Sequence, residues 1–344
     1  MRSTWIFLLC SLFTACSTVN YIGIDTYNPA EVTFPQTITK ILMVNHAVPQ
    51  PADRGYELTL FGRVQDTARV RTDSALFDAC RSLGTAIVDA GYFKDVLLYE
   101  GASRTDSLYY EDHKMSPSEV KALCEENGAD ALISLDRLLF DMKRNVAELP
   151  EGYVLGTIDI KIAAVVRTYL PGRDVPLATV YAVDSLFWTE GGIDLNVLDK
   201  LLPSPEEAIR AAGHYIGTKA SPYFVPHWEN ESRWYFTGVS SAWKEASAYA
   251  AGEKWDVAAE RWEQLFYQSN GWMAKAKAAS NLALAEEMKG NMQKAHEWAE
   301  RSHVLFQKNS GDNDRYTQLL KLYVEALSQR IQNDQKLNIQ IGKE

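Results

Sequence analysis

Apolar and polar residues follow two different periods along this chain, and the change falls near residue 238. In the first part, short apolar runs alternate with segments of helical spacing. The runs predict strands at residues 40–44, 96–99, 131–140, 152–169 and 178–188. The run 152–169 alternates, with apolar residues such as Val154, Ile158 and Ile160 on one face and Thr157, Asp159 and Lys161 on the other, which is typical of an antiparallel strand with one wetter face. A turn at Pro171-Gly172 joins it to the next strand.

Two helix starts in this first part are marked by capping boxes. Ser116-Pro117-Ser118-Glu119 and Ser204-Pro205-Glu206-Glu207 each place a serine three residues before a glutamate, with proline at the first helical position. Helical spacing over residues 72–91 predicts another helix, and the aromatic stretch 222–236 is predicted as a closing edge strand. Together these elements predict an α/β (α+β) domain over residues 40–236, a mixed sheet with helices mainly on one face.

Residues 238–331 carry helical periodicity only. Two blocks recur at an offset of 37 residues, with these positions in register: Ala246 and Ala283, Ala258 and Ala295, Trp262 and Ala299. The pattern resembles tetratricopeptide repeats, whose usual period is about 34 residues. The resemblance implies an all-α, tetratricopeptide-like domain, with residues 316–330 as a further helix that closes it. A plain helical bundle without a binding groove is the alternative.

In tetratricopeptide repeats the first helix of each pair lines the concave face, so the resemblance implies a binding surface there. On the alignment above, that surface would expose Trp243, Ser247, Lys277, Ser280 and Glu287. A groove of this kind binds extended or helical peptides through a few aromatic and charged anchors.

The first residues of the chain have the features of a signal peptide. Arg2 supplies a positive start, and a mostly apolar run over residues 4–12 is too short to span a bilayer. Phe13-Thr14-Ala15-Cys16 then resembles the lipobox of bacterial lipoproteins. The resemblance implies that residues 1–15 are removed and that Cys16 is acylated, which anchors the protein to a membrane. A cleaved secretory signal with an incidental Cys16 thiol is the alternative.

The remainder is expected to be a folded body on a lipid tether. Residues 16–39 form the tether segment, and the polar residues 332–344 are predicted to fray. No later apolar run reaches the ~20 residues of a membrane helix. The residues after Cys16 lack the acidic run that resembles a surface-export signal in some bacteria. We therefore expect a cell-envelope location, on the outer membrane and facing the periplasm.

The net charge narrows the classes of partner. The formal net charge of −10 argues against nucleic acid as a partner, because phosphate binding needs a basic patch.

Of the four cysteines, Cys10 and Cys16 belong to the predicted signal segment and its lipobox. Cys80 and Cys124 lie on apolar helical faces and are predicted as core residues. An oxidising periplasm would also permit a disulfide between them, and the sequence leaves that alternative open.

Catalytic motifs are missing from the sequence. It has six scattered histidines, no HExxH, no paired CxxC and no glycine-rich phosphate loop. His296 and His303 share one predicted helix, where a solvated face is favoured over a metal site. Glu111-Asp112-His113 is predicted to lie in an exposed loop. We therefore predict no enzyme activity, no cofactor and no metal, with a hydrolase using loop carboxylates such as Asp112 as an alternative.

A last resemblance concerns residues 120–135. Their Glu-Asn-Gly-Ala-Asp-Ala-Leu-Ile core is similar to a helix–Gly-Ala-Asp–strand signature of envelope proteins. These are the TolB-type N-terminal domain, the curli-secretion lipoprotein and the lipoprotein activators of peptidoglycan synthases. The whole arrangement resembles uncharacterised Bacteroidetes-type envelope lipoproteins with a C-terminal repeat region.

The predicted function is that of a non-enzymatic scaffold. Its partners would be the membrane, through the lipid on Cys16, and an envelope protein or the cell wall. An activator of a peptidoglycan-synthesis enzyme, or a secretion component, is the alternative that the Gly-Ala-Asp resemblance implies. The oligomeric state stays open.

Overall fold

The computed structural model describes residues 19–65 and 68–342. They divide into two compact units. The sheet unit contains residues 29–227 with 339–342, and the helical unit contains residues 19–28 with 228–338. The predicted signal segment 1–15 and the predicted lipidation site Cys16 lie outside the described residues. None of the described helices is long and apolar enough to cross a membrane.

Strands and helices are numbered in chain order. The strands are β1 Val19–Asn28, β2 Lys40–Asn45, β3 Tyr56–Leu60, β4 Arg63–Val64, β5 Asp95–Ala102, β6 Ala131–Glu148, β7 Val154–Tyr169, β8 Ala178–Gly192 and β9 His227–Phe236. The helices are α1 Asp73–Asp89, α2 Pro117–Asn127, α3 Leu195–Leu201, α4 Pro205–Lys219, α5 Ser241–Ala251, α6 Trp255–Gln268, α7 Trp272–Met288, α8 Met292–Ser310 and α9 Arg315–Gln340. Both predicted capping boxes are present, at Ser116 and at Ser204.

The sheet of the sheet unit is mixed, as predicted. Strand β2 lies between β5 and β6 and is parallel to both. The long strand β6 continues beyond β2 and pairs there with β3, also in parallel. On its other side β6 pairs with β7, and β7 pairs with β8, both antiparallel. Strand β8 therefore forms one edge of the sheet.

Helices cover the two faces unequally, which confirms the prediction of helices mainly on one face. Helices α1 and α4 pack with Ile41 and Met43 of β2, whereas α2 packs with the alternate residues Leu42 and Val44. Successive side chains of a strand point to opposite faces, so the two sets lie on opposite sides. A close crossing of α1 and α4 needs glycine, because a Cβ on Gly217 would lie 2.2 Å from the carbonyl oxygen of Ala79.

The two core cysteines are both free thiols. Cys80 belongs to the core on the α1 and α4 face, and Cys124 to the core beneath α2. The sheet lies between them, so the disulfide that the sequence left open does not form. Burial raises the pKa of Cys80 to about 12 and that of Cys124 to about 11. Both side chains therefore behave as small apolar core residues.

The Gly-Ala-Asp residues after α2 align that helix and β6 with β2. Gly128 ends α2 in the left-handed conformation, at φ 62°. One carboxylate oxygen of Asp130 accepts hydrogen bonds from the backbone N–H of Thr39 and of Lys40, each at 2.8 Å. These residues therefore set the start of β2 beside the start of β6, which is a role in the fold.

The C-terminal region is all-helical, as predicted. Successive helices from α5 to α8 are joined by short turns and pack against their neighbours along the chain. The small residues that recur in the sequence lie fully buried at these crossings, as the repeat pattern requires. They are Ala246, Ala258, Ala283, Ala295 and Ala299.

Two segments differ from their predicted structure. Strand β9, expected to close the sheet of the α/β domain, pairs with β1 in a separate two-stranded ribbon. Residues 228–236 consequently belong to the helical unit. The tail expected to fray after Gln332 is helical to Gln340, because the buried Gln340 side chain bonds both backbone groups of Ala30 at 2.9 Å.

Candidate functional site

The sheet unit carries an open groove of about 400 Å³ on the face of the sheet opposite α1 and α4. Its floor is a row of register partners across three strands, Leu139 on β6, Ala163 on β7 and Val183 on β8. Two loops form the walls. We call this the sheet groove, and its remaining lining residues are Gln50, Arg54, Gly55, Tyr109, Tyr110, Phe140, Asp141, Lys161 and Ile162.

The sheet groove opens onto the edge strand β8. Along β8 the outward side chains Tyr181, Val183 and Phe187 are 64%, 73% and 61% exposed. Their inward neighbours Val180 and Ala182 are buried. Over residues 19–65 and 68–342, no strand pairs with the outer edge of β8. Proteins usually blunt such an edge with charges, proline or a covering segment, so a long apolar edge marks an interaction surface.

One wall of the sheet groove is held in place by Gln50. Its side-chain amide donates to the backbone oxygen of Phe140 at 3.0 Å and accepts from the Phe140 N–H at 3.1 Å. Gln50 thus satisfies the backbone N–H and C=O of Phe140, a residue of β6 that pairs with neither β2 nor β3. Gly55 lies beside it at φ 70°, where a Cβ would be 2.2 Å from the Phe140 oxygen. This wall is therefore rigid before any ligand binds.

The other wall, the loop over residues 103–116, is fixed by an ionic network in which Arg167 and Asp136 are buried and Asp112 is exposed. Arg167 of β7 is 1% exposed and donates to Asp136 at 2.7 Å and to Asp112 at 2.5 Å. Tyr169 donates to Asp136 at 2.8 Å. Arg137 donates to the backbone oxygen of Tyr110 at 3.0 Å. Every charge in this network has a hydrogen-bonded partner, as a buried ion pair requires.

Asp112, the carboxylate of the hydrolase alternative, lies within that network. Its hydrogen bond from Arg167 holds its pKa below the usual range. An aspartate paired with a guanidinium is a poor general base, because its proton affinity is lowered. The geometry therefore gives Asp112 a role in fixing the loop.

His46, which follows the last residue of β2, is a buried titratable group beside this loop. It is 1% exposed, and its Nδ1 lies 2.6 Å from the Ser103 hydroxyl, which also donates to the backbone oxygen of Asn45. Its Nε2 lies 3.3 Å from Nδ1 of His113. Burial lowers the pKa of His46, so the ring is neutral at pH 7. These contacts join the loop to the end of β2.

No metal site is found in the part of the chain that the structure describes, since no three histidine, cysteine, aspartate or glutamate side chains are grouped to hold an ion. His296 bonds the Ser328 hydroxyl at 2.8 Å and lies 3.8 Å from Glu300. It therefore contributes to helix–helix and surface contacts.

In the helical unit, the predicted concave face is not open. The prediction that Ser280 and Glu287 are exposed is wrong, because they are 1% and 3% exposed. Trp243, Ser247 and Lys277 are half-buried, and Lys277 lies over the Phe236 ring at 5.2 Å from its centre. The repeat pattern predicts which residues lie between packed helices. It does not predict which segment of the chain packs on the outer face of those helices.

Strand β9 covers this face and is held by Asn281, a residue that the sequence analysis missed. The Asn281 side chain accepts from the Phe236 N–H and donates to the Phe236 carbonyl, both at 2.7 Å. Such a two-way bond to one backbone residue is how an amide side chain holds an extended peptide. The only sequence signal was an asparagine inside an alanine-rich helix, where it is unfavourable.

Glu287 anchors the same strand one turn and a half further along α7. Its carboxylate accepts from Arg233 of β9 at 3.0 Å, from Tyr323 at 2.7 Å and from Arg330 at 2.6 Å. A buried carboxylate with three donors is fully compensated. The face that was predicted to bind a partner therefore binds a strand of the chain itself.

Comparison with protein families gives two matches. Residues 244–329, within the helical unit, match the family described as Domain of unknown function (DUF6340). Residues 38–236 match the family described as Domain of unknown function (DUF8603). A comparison with curated proteins finds no match. Because the match over residues 38–236 covers more than half of the chain, the chain belongs to the family described as Domain of unknown function (DUF8603).

Proposed function

We propose that this protein is a non-enzymatic, lipid-anchored scaffold of the cell envelope. Cys16 carries the lipid, and the sheet groove with the edge of β8 binds an extended, apolar segment of another envelope protein. The observation that carries this proposal is the exposed row of Tyr181, Val183 and Phe187 beside a preformed groove.

An extended segment suits the site for two reasons. The free edge of β8 offers backbone N–H and C=O groups, which an added strand can pair with. The floor of the sheet groove, Leu139, Ala163 and Val183, offers apolar contact to side chains on one face of that strand. The exposed charged residues Arg54, Asp141 and Lys161 lie at the rim, where polar groups orient a ligand.

The lipid anchor is supported by the lipobox resemblance of Phe13-Thr14-Ala15-Cys16. Its test is metabolic labelling of cells with a clickable palmitate analogue, for the wild type and for Cys16→Ala. We expect label and membrane fractionation in the wild type and loss of both in the variant. A Cys16→Ala protein that stays membrane-bound and labelled would refute the anchor.

The binding site is tested by site-specific photo-crosslinking in intact cells. A benzoyl-phenylalanine at position 181, beside Val183, should yield one predominant protein adduct. The matched control is position 88, where Val88 is 55% exposed on α1, away from the sheet groove. Adding Val183→Asp should abolish the adduct while the melting temperature stays unchanged.

Equal adducts from positions 181 and 88, or an adduct that survives Val183→Asp, would contradict the proposed site. The identity of the captured protein decides between partners. A peptidoglycan synthase or a secretion component would support the alternative that the Gly-Ala-Asp resemblance implies.

A further inference from the structure

The first described residue of the chain lies at one end of the helical unit. Val19, where β1 begins, packs in a cluster with Phe236, Trp272 and Tyr316. Trp272 is the first residue of α7 and Tyr316 the second of α9. Helix α5 begins five residues after Phe236. The starts of α5, α7 and α9 therefore lie at the end of the unit where β1 begins.

The chain leaves little distance between this end and the lipid. Cys16 precedes Val19 by three residues. A fully extended chain spans at most about 3.6 Å per residue, so the two are at most about 11 Å apart. An acylated Cys16 lies at the membrane surface, and this end of the helical unit must then lie within about one headgroup layer of it.

We call the surface at this end the anchor-side surface, formed by residues 19–21, 237–240, 267–273 and 308–315. Four large apolar side chains are exposed on it. They are Tyr21 at 67%, Val239 at 85%, Tyr267 at 65% and Met273 at 48%. At the opposite end, the loops over residues 252–254 and 289–291 carry no exposed large apolar side chain in the described structure, and Trp228 at the start of β9 is exposed there.

The anchor-side surface carries charged residues of both signs. Lys308 in the last turn of α8 and Arg315 at the start of α9 are exposed. Of the nearby acids, Asp314 accepts from the Tyr316 and Thr317 backbone N–H groups, and Asp312 accepts from Gln307. These two bases and two acids balance in formal charge, so contact with a membrane depends on the exposed apolar side chains.

We propose that the anchor-side surface lies against the membrane, with Val239, Tyr267 and Met273 inserted among the lipid headgroups. This inference rests on the proposed acylation of Cys16. The chain length from Cys16 to Val19 determines which end faces the lipid, and the exposed apolar side chains provide its contact. The lipid then orients the scaffold as well as retaining it.

The test uses the full-length, acylated protein in vesicles of phosphatidylcholine and phosphatidylglycerol. Two variants, Val239→Cys and Asp256→Cys, each receive one environment-sensitive fluorophore, since the native Cys80 and Cys124 are buried. Asp256 is 87% exposed and lies near the start of α6, about 18 Å along the helix axis from Gln268 at the anchor-side end. Headgroup-labelled quencher lipids report contact with the bilayer.

At position 239 we expect the emission of the fluorophore to be blue-shifted and strongly quenched. At position 256 we expect neither a shift nor quenching. Equal quenching at both positions, or none at 239, in a protein shown by mass to carry acyl chains would overturn this inference and leave the anchor standing. A mass without acyl chains would overturn the proposed anchor, and with it the basis of this inference.

Discussion

Replacing Asn281 with alanine removes the two hydrogen bonds that join Phe236 of β9 to α7 and leaves the Arg233–Glu287 bonds in place. Asn281 is 0% exposed, and its amide pairs with the N–H and C=O of Phe236 at 2.7 Å each. Phe236 is also fully buried. In Asn281→Ala no water replaces the lost partners unless the strand moves. The variant therefore tests directly whether the helical repeats hold β9 as a bound strand.

The expected magnitude follows from the two orphaned backbone groups. A buried donor or acceptor without a partner costs about 1–3 kcal/mol, so two cost about 2–6 kcal/mol. Alanine is favoured over asparagine inside a helix by about 0.6 kcal/mol, which offsets part of the loss. The free energy of unfolding of the helical unit should fall by about 1–5 kcal/mol.

Ser280→Ala is the matched control on the same helix. Ser280 is 1% exposed, and its hydroxyl has no hydrogen-bond partner. Its loss should change the free energy of unfolding by less than about 0.5 kcal/mol, since alanine also favours the helix.

The assay combines urea unfolding with hydrogen-exchange mass spectrometry of peptides that cover residues 228–238. Asn281→Ala should lose protection in these peptides before the rest of the helical unit does. If Asn281→Ala and Ser280→Ala have the same stability and the same protection, β9 is not held by this side chain and the reasoning is refuted.

Three further predictions follow from the buried groups of the sheet unit. Burial lowers the pKa of His46 in the folded protein below the ordinary value of 6.5. As the pH falls below about 6.5, the unfolded chain therefore binds a proton at His46 more readily than the folded protein does. The free energy of unfolding should therefore fall as pH decreases below about 6.5, and a titration of His46→Gln with an unchanged slope would contradict this. Gly217→Ala should destabilise by about 1–3 kcal/mol in thermal unfolding, because its Cβ meets the Ala79 oxygen. Gly84→Ala should destabilise less, because its Cβ would lie 3.3 Å from a side-chain atom, Cγ of Met43, and close to no backbone atom. A thiol reagent should find Cys80 and Cys124 unreactive until urea unfolds the protein, and fast native reaction would show that they are accessible.

Local signals predicted the elements of this protein well. The capping boxes at Ser116 and Ser204 and the alternation over residues 152–169 each correspond to an observed helix start or strand. These patterns succeed because hydrogen bonds within a few residues, and burial of one face, decide them. The mixed sheet and the all-helical region followed from their order.

Long-range pairing accounts for what the sequence did not reveal. The apolar alternation of β8 indicates a strand but cannot show that it lies at an edge, beside the row Leu139, Ala163 and Val183. The sequence also could not predict the walls of the sheet groove, because one wall depends on a contact between Gln50 and Phe140, which are ninety residues apart. Such contacts depend on the register of the whole sheet, which no local period encodes.

The sequence by itself determined the two kinds of periodicity, the helix caps, the small residues at helix crossings and the likeness of Cys16 to a lipobox cysteine. Only the tertiary structure decided that β9 leaves the sheet and lies on the repeats, held by Asn281 and Glu287. The reason is physical. A helical period shows that one face of a helix carries apolar or small residues and can therefore be buried. Which segment of the chain buries that face depends on contacts between residues far apart in the sequence.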